Sequence, residues 1–70
     1  MILTNFGEIA RNRRFELGLS QYKVSDMACC DRRTLRAFEF NQRDVGIDIV
    51  QNILSAVGLR LVVEEIKDEW

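Results

Sequence analysis

Apolar side chains recur along this chain at intervals of three and four residues in four separate runs, and residues that start or stop helices bound each run. In the first, Phe6, Ile9, Ala10 and Leu17 share a helical face, with Asn5 in the N-cap position and Gly18 in the C′ position. Ser20 then caps a short second helix over Tyr22 to Ala28, with Val24, Met27 and Ala28 turned inward. Asp31 caps a third, in which Leu35 and Phe38 occupy one face and Arg32, Arg33, Arg36 and Ala37 the other. The fourth, from Asp48, carries Ile49, Val50, Ile53, Leu54 and Val57 and closes at Gly58. Its apolar face is broad enough for contact with the core and with a second subunit.

After Gly58 the pattern changes. Leu59 to Ile66 is rich in β-branched residues and reads as a strand, although alternation is only partly kept; the other reading is a frayed continuation of the fourth helix. The chain divides accordingly into a helical domain at 1–58 and a C-terminal strand with an acidic tail at 59–70. A lone strand has unpaired N–H and C=O groups. Pairing with the same strand of a second copy would satisfy them and make a homodimer, with Leu59, Leu61, Val62 and Val63 as the dimerisation residues.

Length strengthens that expectation, because 70 residues enclose only a small core and gain from oligomerisation. No stretch is apolar enough to cross a bilayer or serve as a secretory signal, so no membrane partner and a cytoplasmic, nucleoid-associated location are expected. The two cysteines, Cys29 and Cys30, are adjacent and there is no histidine; a zinc site needs four separated ligands, so no metal is expected. The pair reads as small buried packing residues in a reducing compartment, with redox sensing as the alternative. Lacking histidine and a glycine-rich phosphate loop, the chain offers neither a cofactor site nor an activated nucleophile beyond those thiols, and no enzyme is expected.

A net charge of −1 argues against nucleic acid, but its distribution reverses the argument. Residues 1–44 carry eight Lys or Arg against six Asp or Glu, and residues 45–70 carry two against five. The cations cluster at Arg11, Arg13 and Arg14 and again at Arg32, Arg33 and Arg36. A helix with arginines on its outer face suits the major groove of DNA, where a guanidinium donates two hydrogen bonds to guanine O6 and N7. The same pattern also describes an ordinary amphipathic helix with a solvated basic face. Two short helices joined by a tight turn favour the first reading, since that is how a recognition helix is presented to the groove. On the inward side, Glu39 needs a partner, and Arg14 is the candidate.

The segments Ile9-Ala10-Arg11 through Arg14, Leu17-Gly18-Leu19-Ser20-Gln21, Arg33-Thr34-Leu35, Phe38-Glu39 and Asn41-Gln42-Arg43 together resemble the Cro and CI repressor type of helix-turn-helix, the xenobiotic-response-element family. The resemblance covers about residues 5–58 and implies an all-α, lambda-repressor-like bundle of four helices bound to a double-stranded DNA operator. It implies that Arg32, Arg33 and Ala37, with Arg36 beside them, read base edges. Gln21 would bond a phosphate and brace the recognition helix, and Gln42 and Arg43 would be backbone contacts. The family's internal ion pair falls on Arg14 and Glu39. The short form ending in a strand resembles HipB-like antitoxins, which implies an autoregulating repressor with a kinase-like toxin protein as partner; the other reading is a stand-alone or phage-type repressor. Three positions depart from the family pattern. Cys29 and Asn41 stand where glycine is usual, and Phe40 stands where a polar residue is usual. Trp70 reads as tucked onto its own domain, with a binding role as the alternative.

Overall fold

A computed structural model describes residues 5–65, and in it four helices follow one another: α1 Phe6–Glu16, α2 Gln21–Ala28, α3 Arg32–Glu39 and α4 Ile47–Ala56. Asn5 caps α1 by accepting from the Glu8 backbone amide at 3.2 Å, which satisfies one otherwise orphaned helix donor, while the Asn5 side-chain amide donates to the Glu8 carboxylate at 2.7 Å. Ser20 caps α2 through the Lys23 amide at 3.0 Å. Asp31 occupies the N-cap position of α3 with extended backbone, but its side chain accepts no cap hydrogen bond. At the other ends, Gly18 and Gly58 adopt positive φ and let the chain turn back: the Leu19 amide reaches the Arg14 carbonyl and the Leu59 amide the Leu54 carbonyl.

The core is built from Ala10, Val24, Ala28, Leu35, Phe38, Val50, Ile53, Leu54 and Val57, all buried. Helix α4 packs chiefly against α2, and α1 packs against α3. The latter approach is backbone against side-chain-free backbone: Gly7 is buried, and a Cβ there would collide with the Phe38 carbonyl oxygen. Asn41 extends the junction by donating to Asn5 at 2.8 Å.

Three apolar side chains expected inside lie outside instead. Ile9, Leu17 and Met27 are each about 45% exposed. On α1 the buried stripe runs Gly7, Ala10, Arg14, and Ile9 falls to its flank; Leu17 follows the last helical residue, where the chain turns away. On α2 the buried stripe is Val24, Ser25, Ala28, so Met27 lies on the far side; Ser25 tolerates burial because its hydroxyl donates to the Tyr22 carbonyl.

No strand forms among the described residues, and the helical alternative also fails, because α4 ends at Ala56 and residues 59–65 adopt neither form. A single chain offers that segment no ladder to join. Leu59 and Leu61 pack on the core of their own chain, whereas Val62 and Val63 are exposed. Ile66 and Trp70 lie outside the described residues.

Candidate nucleic-acid interface

The turn between α2 and α3 is made by Cys29 in the left-handed region, φ 56°, with the Cys30 amide closing onto the Ser25 carbonyl. A side chain costs about 1 kcal/mol more than glycine in that conformation. Cys29 is exposed, not a buried packing residue, since it sits on the turn and not on a packed helix face. Cys30 is half-buried against the core. Burial, then the carboxylate of Asp31 and neighbouring Cys29, push the Cys30 thiol up, which keeps it protonated and unreactive at neutral pH. Asn41 makes the second left-handed turn, φ 56°, directly after α3.

The inner face of α3 is locked in place by a buried polar network. Glu39, 1% exposed, accepts from Arg14 Nε at 2.7 Å and Nη2 at 3.0 Å, and from Gln21 Nε2 at 3.2 Å. Arg14 donates its remaining Nη1 to the Leu19 carbonyl at 3.0 Å. Among the described residues no buried side-chain donor or acceptor lacks a partner. Full satisfaction is what makes a buried ion pair tolerable, because an unmatched charge in that position is strongly unfavourable. One carboxylate thereby ties the start of α2 and the end of α1 to the end of α3.

The outer face is the reverse. Arg32, Arg33 and Arg36 are exposed, and Ala37 at the edge of the same face is half-buried. The Arg33 and Arg36 side chains make no hydrogen bond, ion pair or ring contact with another described residue, while Arg32 lies over the Tyr22 ring at 3.9 Å. Two of the three cations occupy the first two positions of α3, where the helix dipole is positive and the amides have no intrahelical acceptor. Such a surface is disfavoured in isolation and suited to an anion. Flanking it, Gln42 and Arg43 are exposed on the loop after α3, and Arg43 leans on the Thr34 hydroxyl at 3.3 Å.

The sequence reading missed how α1 uses its other arginines. Arg11 donates to the Glu39 carbonyl at 2.7 Å and lies 4.7 Å from the centre of the half-exposed Phe40 ring. Arg13 donates to the Val57 carbonyl at 3.1 Å. Each caps the C-terminal end of another helix, where a cation also complements the dipole. No periodicity or spacing signals such contacts, which depend on how the helices approach. No helix among the described residues is long and apolar enough to cross a membrane.

A family model described as Helix-turn-helix matches residues 9–63, well over half of the chain. No curated protein and no solved structure matches it. The matched span covers the turn at Cys29, the Glu39 network and the whole of α3. With a basic outer face on a helix held from within, the chain belongs to the Cro/CI-type helix-turn-helix family of DNA-binding transcriptional regulators.

Proposed function

We infer that the protein is a sequence-specific repressor that grips a two-fold operator as a homodimer, with α3 in the major groove. The observation that carries this reading is the set of exposed arginines on α3, two of them without protein partners, on a helix whose opposite face is locked by Glu39. Arg32, Arg33 and Ala37, with Arg36, read base edges; Gln21, Gln42 and Arg43 set position on phosphates. Gln21 is already half-engaged with Glu39, so a phosphate contact there would couple DNA binding to the brace. Enrichment of duplexes from a random pool tests the reading. The expected product is an inverted repeat with half-sites about 10 base pairs apart, bound with a steep salt dependence. Recovery of no preferred sequence would sink it.

The dimer is supported by the exposed, β-branched Val62 and Val63 beyond the last helix. Because Leu59 and Leu61 pack on their own core, truncation after Gly58 would confuse dimerisation with folding. Val63→Pro is the cleaner probe: it removes one N–H from a 98% exposed position and should shift sedimentation from dimer to monomer. An unchanged dimer would move the interface elsewhere, with α4 the next candidate.

Resemblance to HipB-like antitoxins supports one further role, neutralising a kinase-like toxin while repressing its own operon on the cytoplasmic nucleoid. Co-expression with the product of the adjacent gene checks it. Co-purification and growth rescue are expected, and their absence leaves the stand-alone or phage-type repressor.

A further inference from the structure

Tyr22 and Arg32 are ten residues apart on different helices, at the second position of α2 and the first of α3. The guanidinium carbon lies 3.9 Å from the centre of the ring, the tightest of the cation–ring contacts among the described residues. Tyr22 is 67% exposed and does not belong to the inward stripe Val24, Ser25, Ala28, so core packing does not account for it. A ring differs from other arginine partners in what it leaves free. Arg14 and Arg11 spend N–H groups on a carboxylate or a carbonyl, whereas a guanidinium stacked on a face keeps its in-plane donors available.

We propose that Tyr22 is a positioning residue for base readout: its ring holds the Arg32 guanidinium in one orientation at the mouth of the groove and so sharpens preference at the base pair beneath Arg32. The proposal rests on the reading of α3 as the recognition helix. A long, flexible arginine loses rotamer freedom on docking, and a preformed stack reduces that loss. Arg33, which has no such support, is fixed only by the DNA itself. Arg32 and Arg33 therefore differ in kind, one preorganised and one recruited.

The test is selection from a random duplex pool with the full chain and with Tyr22→Ala, Tyr22→Phe, Arg32→Ala and Arg33→Ala. Tyr22→Ala should relax preference at the base pair that Arg32→Ala relaxes, by about 2–5-fold, the effect of an exposed cation–π contact, and leave the Arg33 base pair unaltered. Tyr22→Phe keeps the ring and should restore the preference, and Tyr22→Ala should add nothing in an Arg32→Ala background. In the free protein, the Arg32 Nε–H resonance should carry a ring-current shift in the natural chain and in Tyr22→Phe that disappears in Tyr22→Ala. Equal weakening on every sequence would make Tyr22 a phosphate contact, and tighter binding by Tyr22→Ala would make the ring a trap for Arg32; either overturns the proposal. Absence of any preferred sequence with the natural chain overturns the recognition-helix reading and this proposal with it, an outcome distinct from a preferred sequence that Tyr22→Ala leaves intact.

Discussion

Arg11, Arg13 and Arg14 on α1 and Arg32, Arg33 and Arg36 on α3 are near twins in sequence, three guanidinium groups within a single helical turn or slightly more. In the fold they are opposites. Every arginine of the α1 set is committed to protein: Arg14 to Glu39, Arg11 to the Glu39 carbonyl and Arg13 to the Val57 carbonyl. Of the α3 set, Arg33 and Arg36 are uncommitted and Arg32 meets only a ring. What separates the two sets is the company each keeps, since α1 faces the carbonyl ends of α3 and α4 and a buried carboxylate. A basic cluster in a small domain is therefore evidence for a nucleic-acid surface only after its partners have been traced.

That contrast can be broken most forcefully at the buried pair. Arg14→Ala or Glu39→Ala should cost about 3–5 kcal/mol, a large share of what a small domain has, and urea denaturation followed by circular dichroism would show it. Replacing both with methionine should recover much of the loss, because neither charge is then stranded. An unchanged midpoint in both single variants would remove the ion pair from the account. On α3 the expectation reverses: Arg33→Ala should leave stability within about 0.5 kcal/mol. It should also lower operator affinity by about 1–3 kcal/mol more than affinity for random DNA. Equal losses on both DNAs would mean that Arg33 touches only phosphate.

A smaller effect should follow from Arg13→Ala, which deletes one hydrogen bond to the end of α4. A loss of about 1 kcal/mol in stability is expected, with operator affinity unchanged once the fraction folded is accounted for. Weaker operator binding by the fully folded variant would place Arg13 with the α3 set and blur the distinction. Smallest of all, Arg43→Ala should weaken cognate and random DNA alike and reduce the slope of log K against log salt by about 1. A sequence-dependent loss would promote Arg43 to base readout.

How much of this was legible in the sequence depended on whether the signal was local. Asn5, Ser20, Gly18 and Gly58 announced helix ends because caps act on the nearest backbone, and the helices begin or end beside each of them. The left-handed turn at Cys29 was visible as a departure from glycine. The need of a buried carboxylate for a partner pointed from Glu39 to Arg14, and the two lie 2.7 Å apart. Ile9, Leu17 and Met27 misled because apolarity reports what a side chain tolerates and not where a neighbouring helix passes. The carbonyl caps made by Arg11 and Arg13 and the Tyr22 stack were invisible for a related reason. They join different helices, through backbone oxygens that every residue carries or, for Arg32, a ring on the neighbouring helix, so the approach of the helices and not a local pattern decides them.

The contact at Gly7 bears on how such a protein can change over time. Because α1 meets α3 there through a bare backbone, the tilt of α3 is set by a hard stop and not by compressible side chains. Even one added methyl at Gly7 is met by the Phe38 carbonyl, so a side chain there would force α1 and α3 apart. On the reading proposed above, adaptation to a new operator falls to the outward positions of α3 and to the Tyr22 ring beneath Arg32. The scaffold can be inherited unchanged while its address is rewritten, a division of labour that a single absent side chain enforces.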